Sequence, residues 1–222
     1  MRTAVIVPAY NEERTVGAVV RSLAADGHEV IVVDDGSADR TGEAARRAGA
    51  RVIRHVLNRG LGAAIGTGVA AALRGPAEVL VTFDADGQHR SEDIPRLVGP
   101  IGCDEADVTI GTRSEKRHRM PLTRRLANWT GNALTFLLFG KWVNDSQSGL
   151  RAFSRPAAED LELRCDRMEV SSEIIKEIKR HGWRLVEVPI VPIYTEYSMS
   201  KGQGFVTGLK TAIRLLLRRV AK

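Results

Sequence analysis

What most limits the fold of this chain is its beat: short β-branched runs, each closed by a turn, alternate with stretches of helical spacing. Thr3-Ala-Val-Ile-Val7 is an unbroken apolar run ended by Pro8, the pattern of a parallel strand buried on both faces. Thr15 to Ala25 follows, with Val16, Val19, Val20 and Leu23 spaced as one helix face. The beat continues through a strand at Glu29–Val33, a helix at Thr41–Ala48 and a strand at Arg51–His55. An Ala/Gly-rich helix at Gly60–Leu73, a strand at Val79–Phe83 and a fifth strand at Asp107–Gly111 complete it. Such alternation predicts a doubly wound α/β domain, in which ligands collect at the carboxyl ends of the strands.

The second half is less regular. Glu115–Arg125 reads as a basic loop, and Leu126–Gly140 as a long apolar helix. After Asp145-Ser-Gln-Ser-Gly149 come a strand at Leu150–Phe153, a short helix opened by Pro156, and a helix capped at Ser171 and stopped by His181-Gly182. Arg184–Tyr194 is extended, Ser198–Gly204 is a polar loop, and Phe205–Val220 is a final helix. With no linker, repeat or low-complexity tract, a single domain is expected over 1–222.

Charge sharpens this picture. Residues 1–110 carry 12 basic and 16 acidic side chains, a net −4, whereas residues 111–222 carry 21 and 11, a net +10. An acidic front and a basic back suit a cation site followed by an anion-binding surface. Two cysteines, Cys103 and Cys165, are too few for a disulfide framework or a zinc site, which fits a reducing cytoplasm. The longest uncharged stretch, Leu126–Gly140, is 15 residues long, and a spanning helix needs roughly 20. Aromatic residues are 5% of the chain, too sparse for the stacking platform of a single-strand nucleic-acid binder, so no nucleic-acid partner is expected. Gly60-Leu-Gly-Ala-Ala-Ile-Gly66 has the wrong spacing for a dinucleotide fingerprint, and no Gly-Lys-Ser/Thr follows to make a P-loop.

The sharpest motif is Asp84-Ala-Asp86, which directly follows a strand. Two hard oxygen donors at a sheet edge suit Mg²⁺ or Mn²⁺, with water and a diphosphate filling the remaining positions. Alone, an Asp-x-Asp is more often a turn with a helix cap. Here three strand ends in order read Pro8-Ala-Tyr-Asn-Glu12, Val33-Asp-Asp-Gly-Ser37 and Asp84-Ala-Asp-Gly-Gln-His89. Carboxylates gathered on one edge repel one another unless a cation or ligand hydroxyls compensate. His89 reads as a packing or helix-start residue rather than a metal ligand, and the other histidines show no metal spacing.

With Asn58-Arg-Gly-Leu-Gly-Ala63, Gly111-Thr-Arg113, Asp145-Ser-Gln-Ser-Gly-Leu-Arg151 and Ser200-Lys201 added, the ordered set resembles the inverting family-2 glycosyltransferases of the GT-A fold. Within that family it looks most like the dolichyl- and polyprenyl-phosphate mannosyl- and glucosyltransferases. The resemblance implies a nucleotide-sugar half at 1–111, an acceptor half at 112–204 and an amphipathic helix at 205–222. It further implies that Pro8, Tyr10, Glu12, Val33 and Asp35 line the nucleotide pocket. Asp84, Ala85 and Asp86 would hold the ribose–diphosphate, with Asp84, Asp86 and Gln88 as metal ligands. Arg113 and Lys201 would contact phosphate groups, and the catalytic pair would be Asp86 and Asp145, the latter as base or orienting group. Many members carry an arginine six residues before the loop lysine; here that position is Thr195, and Arg117 or Arg119 would have to stand in.

The implied reaction moves mannose or glucose from GDP-mannose or UDP-glucose to polyprenyl phosphate with inversion, aided by Mg²⁺ or Mn²⁺. Its acceptor implies a membrane surface as partner. Phe205, Leu209, Ile213, Leu216 and Val220, accompanied by Lys210, Arg214 and Arg218, make an interfacial helix one reading of the C-terminus, packing on the core being the other. As the sequence stops before any span, a small membrane protein is an expected anchor, placing the enzyme in the cytoplasm on the inner face of the membrane. Two rival readings remain: a sugar-1-phosphate nucleotidyltransferase, which wants a Gly-rich basic signature after the first strand, and a non-catalytic nucleotide-sugar sensor.

Overall fold

Apolar runs become central strands here because each is flanked by helices that cover both faces. In the computed structural model, which describes residues 1–112, 143–166 and 169–193, a sheet is built from seven strands: β1 (Thr3–Ala9), β2 (Glu29–Asp34), β3 (Arg51–Arg54), β4 (Val79–Thr82), β5 (Val108–Thr112), β6 (Arg151–Ser154) and β7 (Leu185–Pro189). Their order is β3-β2-β1-β4-β6-β5-β7. The first half is parallel throughout: Val5 pairs with Val30 of β2 and with Val81 of β4, and Val32 pairs with Val52. Strand β6 then inserts antiparallel between β4 and β5, setting Arg151 opposite Thr82 and Ile110. β7 returns parallel to β5. The mixed α/β class stands as expected.

Two apolar layers hold the sheet. On one face Val16, Val19, Val20 and Leu23 of α1 (Val16–Ala25), Ala45 of α2 (Thr41–Arg47) and Leu97 of α4 (Ile94–Gly102) pack against Val5, Val7 and Val32. On the other, Ile65 and Val69 of α3 (Leu61–Ala72), Ala157 of α5 (Arg155–Glu159) and Ile174, Ile175 and Ile178 of α6 (Val170–His181) pack against Ile6, Ile31 and Phe153. Each wholly buried Val, Leu or Ile stabilises by about 1.5–3 kcal/mol relative to exposure.

Several expectations shift. Helix α4 was not expected; its Pro95 lies in the first turn, where no amide donor is needed, so the proline opens the helix rather than breaking it. Helix α6 begins at Val170 with no side-chain cap, and Ser171 does not start it. Instead Glu173 accepts the backbone N–H groups of Arg164 and Cys165, at 3.0 and 2.8 Å, holding the preceding loop to the helix. The helix does end at Gly182, whose φ of 68° provides the left-handed cap. Strand β7 stops at Pro189, shorter than the extended run expected to Tyr194. The basic loop at 115–125, the helix at 126–140, the loop at 198–204 and the helix at 205–220 lie outside the described residues.

Candidate active site

The parallel strands β1, β2 and β4 all deliver their carboxyl ends to one edge of the sheet, and the loops there are laced together. After β1, Asn11 takes a φ of 54°, its N–H donates to Ser37 Oγ at 3.0 Å, and its own Oδ1 accepts from Ala38 N–H at 2.9 Å. Glu12 N–H donates to Thr41 Oγ1 at 2.8 Å, and Glu12 Oε2 accepts from Thr15 Oγ1 at 3.0 Å. Tyr10, just before them, is 47% exposed, while Val33 is wholly buried in β2 opposite Pro8.

Asp34 and Asp35 are both buried, and each serves a different loop. Asp34 Oδ1 accepts Ser37 N–H at 2.9 Å, with the Arg54 guanidinium 3.7 Å from its other oxygen. Asp35 Oδ1 accepts from Arg59 N–H at 2.9 Å and lies 2.7 Å from His55 Nδ1, and Oδ2 accepts from Gly60 N–H at 2.7 Å. His55 Nε2 reaches Thr67 Oγ1 of α3 at 3.0 Å. Asp35 thus anchors the loop that enters α3, and His55 clamps it from behind. Sequence spacing passed over His55, since its partner is 20 residues away.

Beyond β4 the Asp84-Ala-Asp86 loop presents its carboxylates side by side. His89 Nε2 is 3.1 Å from Asp84 Oδ2, and the His89 ring packs edge-on against Phe83 at 5.6 Å between centroids. His89 is therefore a packing residue that also holds Asp84. Asp86 Oδ1 accepts Gln88 N–H at 3.0 Å, and its Oδ2 accepts from the Gln88 side-chain amide. Burial, and then the charge of Asp84, raise the Asp86 carboxyl above the ordinary range. A divalent cation between the two would relieve that cost. Two carboxylates with an amide oxygen nearby fit Mg²⁺ or Mn²⁺, which retain several waters and bind diphosphate oxygens. Among the described residues no group of three or more Asp, Glu, His or Cys gathers into a closed metal cage.

The turn at 145–149 meets this loop from the other side. Asp145 is 5% exposed, and its carbonyl accepts Ser148 N–H at 3.1 Å. Thr82 Oγ1 donates to Gly149 O at 2.8 Å, which seats the turn on β4. A Cβ at Gly149 would fall well inside contact distance of both Asp84 oxygens, so only glycine lets the turn approach. Beneath both acids lies Arg151, 2% exposed, its Nη2 donating to Ser146 O at 2.9 Å. Burial lowers its pKa to about 10, and the charges of Asp84 and Asp145 oppose that fall. A charge inside the apolar run Leu150–Phe153 was the visible signal for Arg151. The structure thus brings Asp84, Asp86, Gln88 and Asp145 together on one edge with the β1 and β2 loops; Arg113, Lys201, Thr195, Arg117 and Arg119 lie outside the described residues.

Comparison with known proteins agrees with this geometry. The uncharacterized protein MJ1222 of Methanocaldococcus jannaschii is 46% identical, over 97% of this chain and 91% of its own length. A UDP-N-acetylglucosamine–dolichyl-phosphate N-acetylglucosaminyltransferase of Methanococcus voltae is 38% identical, over 98% and 96%. Glucosyl-3-phosphoglycerate synthase from Mycobacterium tuberculosis, solved with Mn²⁺, UDP-glucose and phosphoglyceric acid, superposes with a TM-score of 0.74 at 25% identity, covering 98% of this chain and 79% of that one. The sheet is the GT-A arrangement that the motifs imply. Since the model of glycosyl transferase family 2 also matches residues 4–162, the chain belongs to that family of glycosyltransferases.

Proposed function

We propose that this glycosyltransferase moves a hexose or hexosamine from a nucleotide diphosphate sugar to a polyprenyl phosphate, with inversion at the sugar carbon. The observation that carries the reading is the meeting of the Asp84–Gln88 loop with the Asp145–Gly149 turn at the carboxyl edge of β4. In this reading a diphosphate-and-cation site lies beside a second acidic turn that serves the acceptor. The Methanococcus relative, whose name joins a UDP-sugar to dolichyl phosphate, supports both a lipid acceptor and a uridine donor. Bound Mn²⁺ and UDP-glucose in the mycobacterial structure support the same donor class and divalent cation.

In this reading an acceptor phosphate oxygen attacks the anomeric carbon from the face opposite the leaving diphosphate. The carbon–oxygen bond to the diphosphate breaks as the new one forms. The nucleophile is already an anion, so no proton need be removed, and Asp145 orients the acceptor. Asp35 holds the loop beneath the nucleotide, with Pro8, Tyr10 and Glu12 around it, while Val33, wholly buried, backs Pro8 within the sheet instead of lining the pocket. Asp84, Asp86 and Gln88 would hold Mg²⁺ or Mn²⁺, whose charge would offset that of the leaving diphosphate. Arg113 and Lys201 add positive charge at the phosphates. The division into a nucleotide-sugar half, 1–111, an acceptor half, 112–204, and a terminal helix, 205–222, belongs to the same proposal. So does residence at a membrane surface; among the described residues no helix is long and apolar enough to cross one.

Two measurements test it. A nucleotide sugar with Mn²⁺, present at 100 times its dissociation constant, should stabilise the protein by roughly 2.7 kcal/mol. Thermal shifts that fail with every UDP- and GDP-sugar would remove the donor site from the proposal. Asp86→Ala should lower sugar transfer to polyprenyl phosphate by roughly 10²–10³-fold, as removal of a transition-state electrostatic contact does. Undiminished transfer in that variant with metal chelated would refute the mechanism.

A further inference from the structure

We infer that Arg151 is a positioning residue whose one buried guanidinium serves Asp84 on the donor side and Asp145 on the acceptor side, coupling the two halves of the site. The inference rests on the reading of those carboxylates as site residues.

Arg151 lies on β6 opposite Thr82, two residues before Asp84, and opposite Ile110 of β5. It shares a strand face with Phe153, which packs in the apolar layer with Ile110, Ile174 and Ile175. For packing alone an apolar side chain would serve there, because a buried ion costs several kcal/mol of desolvation that well-packed hydrophobic residues avoid. The guanidinium spends only part of its donor capacity on the backbone. Nη2 holds Ser146 O, the residue after Asp145, and Nε has no hydrogen-bond partner among the described residues. The charges that act on it are those of Asp84 at the end of β4 and Asp145 at the start of the turn.

The geometry ties these groups mechanically as well. The five residues from Asp145 to Gly149 run from one acid to a glycine pressed on the other. Thr82 holds the glycine end, and Arg151 holds the aspartate end through Ser146. A shift of Arg151 would therefore move both acids, and a planar fork fixes direction where an ammonium would not.

Two double-mutant cycles on the ligand-free protein near neutral pH test the pairing. Arg151→Met removes the guanidinium from beside buried Asp145 and the partly exposed, His89-bonded Asp84, and should lower the thermal midpoint by at least about 5 °C. Adding Asp145→Asn, or in the second cycle Asp84→Asn, removes one of the two charges that act on Arg151 and should restore at least about a third of that loss, since interacting residues couple. Strict additivity in either cycle overturns the inference. Arg151→Lys keeps the charge without the fork. Its midpoint should stay within a few degrees of wild type while kcat falls at least about tenfold and the nucleotide-sugar KM moves less than about threefold. A lysine variant with full turnover overturns the positioning role, and this arm is decisive even if the methionine variant does not fold. Failure of the functional reading is distinguishable: wild type would transfer no sugar, while the midpoint cycles, which use no substrate, would still report the charge coupling.

Discussion

Gly149 shows how one missing methyl builds the site. Its backbone lies outside the left-handed region, so alanine there meets no backbone strain, only the Asp84 carboxylate. Gly87 is the opposite case: its φ is 76° and a Cβ there meets open space, so alanine at 87 would strain the backbone and touch nothing. Gly149→Ala should therefore push Asp84 off His89, lowering turnover by about 10²-fold, with the thermal midpoint shifting by no more than a few degrees. Steady-state kinetics beside a melting curve would check it; a variant that keeps wild-type turnover would show that the position of Asp84 is not critical. At this scale the acidic strand ends were legible from the sequence, because a carboxylate directly after a buried strand has only the ligand edge to occupy. The partners of those carboxylates were not. His55 meets Asp35, and Gly149 meets Asp84, only once strands distant in sequence lie side by side.

Among the elements, the parallel half could be read almost whole, since each buried strand leaves an unbroken β-branched run bounded by turns. Helix α4 was hidden because Pro95, Gly99, Pro100 and Gly102 look like loop, although Ile94, Leu97 and Val98 keep helical spacing and are buried. Strand order was hidden for a different reason: nothing local in Arg151–Ser154 specifies antiparallel insertion between β4 and β5. Outside that insertion, β7 is tied to β5 by Arg184. Its N–H and Nε donate to Asp107 Oδ2 at 2.7 and 3.1 Å, and its Nη2 to Asp107 Oδ1 at 2.9 Å. The side-chain hydrogen bond from Arg184 is the main cause holding the Asp107 carboxyl below the ordinary range. A carboxyl depressed in the folded state stabilises above its unfolded pKa, about 3.9, and that contribution drains away as pH falls through the lower folded value. Melting curves taken from about pH 6 down to about pH 2 should show this loss in wild type. In Arg184→Ala the same acid limb should be shallower, and an identical pH profile in the two proteins would deny the tie its role.

For the whole molecule, the contrast between an acidic front and a basic back sharpens once the fold is known. Segments 113–142 and 194–222 together hold 13 basic and 2 acidic side chains, a net +11, leaving −5 on the rest of the chain. The rest of the chain is therefore acidic, and the cationic excess sits in two segments, one within the acceptor half and one running from its end to residue 222. An acidic body joined in sequence to two strongly basic segments suits the proposed encounter with a phosphate-bearing acceptor at an anionic surface. Each Lys or Arg near such a surface contributes about 1 kcal/mol of attraction. Changing Lys210, Arg214, Arg218 and Arg219 to Gln should then weaken binding to phosphatidylglycerol vesicles by roughly 10³-fold at low salt. Wild type should float with the vesicles at low salt and fall away from them in about 1 M salt, where the screening length is roughly 3 Å. Transfer to a short-chain, water-soluble acceptor phosphate should be unchanged in the glutamine variant, because the proposal gives those side chains a role at the surface and none at the sugar. Wild-type protein that stays at the bottom of the gradient at low salt would separate the charge pattern from membranes altogether.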